Sequence, residues 1–114
     1  MQGTGVEVLM LPSDGDGRVP LLSLLEELGR RGVVLLLCEG GGVLHGSLFD
    51  QRLVDKVTAV IAPMIVGSND APSAVAGIGA AYMRDAVRLR DVAVERLGED
   101  VLFTGYPVWP EAQA

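Results

Sequence analysis

Histidine and cysteine are almost missing from this sequence: His45 and Cys38 each stand alone. One cysteine excludes an intrachain disulfide, and the two residues together cannot supply the four ligands of a structural zinc site. A Ser-His-Asp triad would have to be built around His45. Positive charge is also scarce. Eight arginines and a single lysine, Lys56, face 15 acidic residues, and the net charge is −6. A nucleic-acid backbone selects a basic stripe, so that class of partner is disfavoured. No apolar run approaches the ~20 residues of a membrane-spanning helix. The longest is Val33 to Cys38. Met1 to Gly5 carry neither the basic nor the apolar region of a signal peptide. The expectation is a soluble, cytoplasmic protein without membrane or nucleic-acid partners.

What remains is an ordinary globular composition. The 114 residues allow one domain, and 49% of them are hydrophobic. A chain of this size can bury roughly two-thirds of its unfolded surface, so a core is expected.

The order of elements is legible. Val6 to Leu11 reads as a strand stopped by Pro12, and Ser13-Asp14-Gly15-Asp16-Gly17 as a turn cluster. That cluster lacks the further spaced acids and closing Glu of a calcium loop. Pro20 opens a helix where its missing N–H costs nothing. Leu21, Leu24, Leu25 and Leu28 then give one apolar face. Arg30 and Arg31 suit the carboxyl end of the helix dipole, and Gly32 suits the residue just beyond it. Val33 to Cys38 shows no alternation, as in a parallel strand buried on both faces. A second helix starts near Val43, with Val43, Leu44, Leu48 and Phe49 able to share a face. Asp55 to Pro63 reads as another strand, and 67–79 as a loop with room for one short helix. Val87 to Leu97 and Val101 to Tyr106 form an antiparallel hairpin around Gly98-Glu99-Asp100. Pro107 and Pro110 are expected to end the pairing, leaving 107–114 as a tail.

Only Cys38 to Ser47, CEGGGVLHGS, carries a chemical pattern. A buried strand ends, an acid follows, then three glycines, then a helix. Ligands of open α/β sheets bind beyond the carboxyl ends of strands. Glycines let a backbone approach a ligand closely, and the free N–H groups of a helix start favour phosphate. Gly41 to Gly46 has the glycine spacing of a phosphate-binding loop of NTPases, but Ser47 stands in place of its lysine. The dinucleotide pattern G-x-G-x-x-G begun at Gly40 meets His45 where its last glycine belongs. A glycine turn that merely lets the helix pack closely remains the bland alternative. Other residues have mainly structural readings. Cys38 is a small apolar strand residue, Met64 a core residue with some reach toward a ligand, and Asp55 with Lys56 a solvated strand start. Trp109 is suited to covering an apolar patch or an interface.

Four stretches, in order and at natural spacing, carry a family resemblance. They are LPSDGDGRVPLLSLLEELGRRGV (11–33), LLLCEGGGVLHGSLFDQRLVDKV (35–57), VIAPMIVG (60–67) and VRLRDVAVERLGEDVLFTG (87–105). From Gly5 to about Tyr106 the chain resembles the carboxyl-terminal part of the reductase domain of the bifunctional riboflavin-biosynthesis deaminase/reductase, in the dihydrofolate-reductase-like superfamily. The resemblance implies an α/β, partial dihydrofolate-reductase-like fold. Its sheet would be mainly parallel and flanked by helices, with a C-terminal antiparallel hairpin, over 1–106. It implies an NADPH-dependent reduction of the ribosyl group of 5-amino-6-(5-phosphoribosylamino)uracil to ribityl. Gly40, Gly41, Gly42, Val43, Leu44, His45 and Gly46 would then lie on the NADPH-binding segment, and Glu39 at the substrate. No catalytic residue and no metal ligand is assigned. The family's amino-terminal motifs are not found before Gly5, so at most half of a reductase site is expected here. A homodimer is implied. The alternatives are a non-catalytic nucleotide-binding or dimerising remnant of the family and a pterin reductase of the same superfamily.

Overall fold

The computed structural model describes residues 5–13 and 15–111. Asp14 of the turn cluster and 112–114 of the tail lie outside the described residues. The chain divides into two compact units, Met1–Leu37 and Cys38–Ala114.

In the first unit the expected helix is α1, Leu21–Arg30, with Pro20 at its N-cap. Leu21, Leu24, Leu25 and Leu28 are half-buried, whereas Leu22, off that face, is 53% exposed. The helix ends in a Schellman motif. Gly32 takes φ 90°, its N–H bonds to Gly29 O at 3.1 Å, and Val33 N–H bonds to Leu28 O at 3.0 Å. Arg30 and Arg31 both donate to Glu27, and Arg31 also donates to Glu7. In the described part of the turn cluster the chain bends over 15–18, with Gly15 and Gly17 both at positive φ.

The second unit contains α2, Gly42–Asp50, and three strands: β1, Val57–Ile61; β2, Arg88–Leu97; and β3, Asp100–Val108. The sheet order is β1-β3-β2, and both pairings are antiparallel. The hairpin is the expected one. Gly98 takes φ 63° and Glu99 does not enter positive φ, which matches a two-residue II′ turn with glycine first. One extra residue of β2 bulges between Arg90 and Ala93, with Asp91 at φ 50°. Opposite it lies Gly105, where a Cβ would come within 2.9 Å of Leu89 Cβ and 3.4 Å of Val92 Cγ2. A glycine is what lets the bulged strand close over β3. Lys56 and Arg90 stand over the Tyr106 ring, 5.8 and 5.2 Å from its centroid.

Four expectations need correction. The sheet is not mainly parallel. Val6–Leu11 and Val33–Cys38 are not strands, because a strand exists only as part of a ladder and the described residues offer them no partner. Second, no hydrophobic side chain among the described residues is buried; the buried residues are Gly46 and Gly105. Much of the apolar material sits in uncovered runs, including Val34–Leu37 and Met64–Val66. Met64 is accordingly 72% exposed rather than a core residue, and Cys38 is half-buried rather than buried. Third, β3 does not stop before Pro107 but pairs it with Leu89 and continues to Val108. Pro107 lies past the last β1 partner, Gly105, where one side of β3 is open and a missing N–H can be tolerated. Fourth, part of the expected tail, Trp109 and Pro110, is held against the rest of the second unit. The Trp109 ring meets Phe49 edge-on at 5.9 Å, and Arg52 donates to Pro110 O at 2.8 Å. The expected loop at 67–79 is irregular, and the one short helical turn comes after it, at Met83–Asp85.

Candidate functional site

The corner between Cys38 and α2 depends on glycine at positions 41, 42 and 46, for different reasons. Gly41, the N-cap of α2, has φ 92° and ψ 175°, a conformation that side chains rarely adopt, and its surroundings are open. A Cβ on Gly40 would collide with the Leu44 side chain. A Cβ on Gly42 would collide with Ser73 O, and one on Gly46 with Ala76 O. Gly42 and Gly46 are one turn apart and let the 73–77 backbone rest on the helix. Ala76 N–H bonds to Gly42 O at 2.9 Å. One further turn along, Asp50 accepts from Ile78 N–H at 2.8 Å and Gly79 N–H at 3.1 Å.

His45 completes this clamp. Its Nδ1 lies 3.0 Å from Ala74 O and its Nε2 3.2 Å from Cys38 O. Both neighbours are carbonyl oxygens, which only accept, so a ring nitrogen bonds to its carbonyl only when it carries a proton. A neutral imidazole carries one N–H and serves one of them; an imidazolium serves both. The ring joins the residue before Glu39 to the loop on α2.

The residues read from the sequence therefore divide into two groups. Gly41, Gly42, Val43 and Leu44 form the open helix start. Its N-cap has no capping side chain, and no acid lies in its first turn. The N–H groups of Gly42, Val43 and Leu44 precede the first intrahelical donor, His45 N–H, which bonds to Gly41 O at 3.0 Å. Val43, in the first turn, is 65% exposed. His45 and the buried Gly46 instead face the 73–77 loop. Glu39 is exposed and has no hydrogen bond or ion pair among the described residues. The donor set fits an anion such as a pyrophosphate: oriented N–H groups, the positive end of a helix and no competing cap.

A cavity of about 450 Å³ lies elsewhere, at the other end of α2, lined by Phe49, Asp50, Arg52, Val87, Trp109 and Pro110 among others. Sequence reasoning read Trp109 as covering an apolar patch or an interface without locating it, and it missed the role of Asp50. The only advance signal was an acid ending a helix two residues before Arg52. No group of three potential metal ligands occurs among the described residues, and no helix there is long and apolar enough to cross a membrane.

The fold and the glycine corner define an α/β chain with an uncapped, glycine-led helix start, and comparison with known proteins gives its relationship. The RibD C-terminal domain family matches residues 2–103, and the chain belongs to that family. It is 46% identical over 88 residues to a 2,5-diamino-6-ribosylamino-4(3H)-pyrimidinone 5′-phosphate reductase of Methanothermobacter thermautotrophicus. It is 39% identical over 85 residues to the riboflavin biosynthesis protein RibD of Synechocystis. It is 37% identical over 83 residues to the chloroplastic riboflavin biosynthesis protein PYRR of Arabidopsis thaliana. These matches cover 77%, 75% and 73% of this chain but only 41%, 23% and 14% of the relatives.

Proposed function

We propose that this chain contributes the cofactor-holding corner of an NADPH-dependent reductase of riboflavin biosynthesis. The substrate class is a 5-aminopyrimidine bearing a ribosylamino 5′-phosphate, whose ribosyl group becomes ribityl. The observation that carries the reading is the uncapped start of α2 within a chain of the RibD C-terminal domain family. The N–H groups of Gly42, Val43 and Leu44 would hold the cofactor pyrophosphate, and Gly41 lets the chain turn without a side chain in the way. Glu39, one residue before the glycines, would accept hydrogen bonds from substrate hydroxyl or amino groups. His45 and Gly46 support the corner from behind by fixing the 73–77 loop. NADPH, when bound, supplies the hydride. The residues of this chain supply orientation and electrostatic complementarity.

Calorimetric titration with NADPH and NADH tests the binding half of this reading. Saturable heat with NADPH is expected, and none at millimolar cofactor contradicts it. Turnover of the aminopyrimidine phosphate is measured separately. The chain spans 41% of the archaeal reductase, which favours a second reading in which it binds cofactor without turning over substrate alone. Turnover by the isolated chain would remove that second reading.

A further inference from the structure

His45 carries the only imidazole of the chain. Its two nitrogens face two carbonyls, Nδ1 at 3.0 Å from Ala74 O and Nε2 at 3.2 Å from Cys38 O. A neutral ring cannot serve both, because its bare nitrogen would set a lone pair against a carbonyl oxygen. The two contacts differ in their surroundings: the one to Ala74 O is exposed, and the one to Cys38 O is part-buried. Water can replace a donor lost at an exposed carbonyl, whereas an unserved part-buried carbonyl carries a desolvation cost. The neutral ring therefore keeps its proton on Nε2 and gives up Ala74. The other bonds between the loop and α2 start further along, at Ala76 N–H to Gly42 O and at Ile78 and Gly79 N–H to Asp50. Of the segments that meet the ring, 73–77 has no titratable side chain, 38–41 has Cys38 and Glu39, and α2 has Asp50, already engaged with the loop. Among the described residues no carboxylate forms an ion pair with the ring.

We propose that His45 is a positioning residue of the glycine corner that acts through its charge. As an imidazolium it ties Cys38, the residue before Glu39, to the loop resting on α2. As a neutral ring it holds Cys38 alone, and the backbone at 73–75 is released from the helix. The tie stands on this geometry. Its consequence for the cofactor rests on the function proposed above: the corner is better braced at acidic than at alkaline pH, and the cofactor is held more tightly there.

An NMR titration of the full chain between about pH 5.5 and 8.5 tests the tie, since imidazoles ordinarily change charge within that span. The ring nitrogen shifts report protonation and tautomer, and they belong to His45 alone. Reading the midpoint from the ring itself separates its effect from any titration of the Cys38 thiol. The ring is expected to lose its Nδ1 proton, and the amides of 74–76 to shift with the same midpoint. Exchange at Ala76 N–H, corrected for its intrinsic pH dependence, should quicken about two- to tenfold, the equilibrium worth of one hydrogen bond. His45→Gln keeps one donor group without a titratable ring, so its loop amides should show no such midpoint. Calorimetry with NADP⁺, the acid-stable form of the cofactor, then compares affinity at the two ends of the range. The acid-to-alkaline affinity ratio should be about two- to tenfold larger in the parent chain than in His45→Gln; the variant cancels the titration of the cofactor's own phosphate. Loop amides indifferent to the ring, a neutral ring protonated on Nδ1, or the same pH response in His45→Gln overturns the proposal. Equal affinity ratios in parent and variant overturn it as well. A loop that follows the ring while NADP⁺ binds at no pH upholds the tie and removes the cofactor reading instead. The parent titration needs no substitution, so it decides even where the variant fails to fold.

Discussion

Gly46 shows how one hydrogen atom in place of a side chain can set local structure. It is buried, and a Cβ there would lie 2.5 Å from Ala76 C and 2.8 Å from Gly77 N. These are backbone atoms and cannot swing aside as the tip of a long side chain can. Gly46→Ala should therefore lift the 73–77 loop and cost about 1–3 kcal/mol, the usual range for overpacking. Urea unfolding measures that loss, and an unchanged midpoint would show that the loop does not rest on the helix. The glycine run was conspicuous in the sequence, but the division of labour within it was not. Gly41 is needed for its φ, and Gly42 and Gly46 for the approach of a loop some thirty residues away. His45 was equally opaque, because its acceptors, Cys38 O and Ala74 O, are backbone atoms with no residue-type signal.

At the scale of elements, local rules read best where local forces decide. Helix α1 was visible from its leucine spacing and from Gly32, since both the face and the Schellman ending are written within about a dozen residues. The β2–β3 hairpin was visible from alternation and Gly98. Its bulge was not, because it depends on Gly105 sitting across the ladder. Gly105→Ala should be destabilising by about 1–3 kcal/mol, since Leu89 Cβ is too close to yield. A thermal melt checks this, and no change in Tm would mean that the bulge relaxes freely. Helix α1 also carries a pH signature. The hydrogen bonds from Arg30, and then from Arg31, hold the Glu27 carboxyl below its ordinary value of 4.5. A lowered folded-state value stabilises the fold above the unfolded value and loses that contribution as pH falls through the folded one. Glu27→Gln should thus lower Tm at neutral pH, and the gap to the parent chain should close on acidification well below pH 4.5. The gap should be small, because the carboxylate and both arginines meet solvent. A gap constant with pH would contradict the assignment.

At the scale of the whole molecule, the family was legible because four stretches agree in order, and the match over 102 of 114 residues bears this out across nearly the full sequence. The parallel sheet was misread for a physical reason. Val33–Cys38 has the composition of a strand covered on both faces, yet composition does not say whether the covering layers belong to the same chain. Burying a Val or Leu side chain fully is worth about 1.5–3 kcal/mol, so the exposed run represents a large stabilisation that the described residues leave unused. The corner proposed to hold the cofactor is built from the second unit alone. Its donors come from α2 and its support from the 73–79 loop, all within the second unit. The most direct test is an amide-resolved NMR titration of the chain with NADPH. The resonances of Gly41, Gly42, Val43 and Leu44 should move together and saturably. Shifts confined to the cavity around Phe49 and Trp109, or none anywhere, would contradict the assignment of the α2 start as the cofactor site.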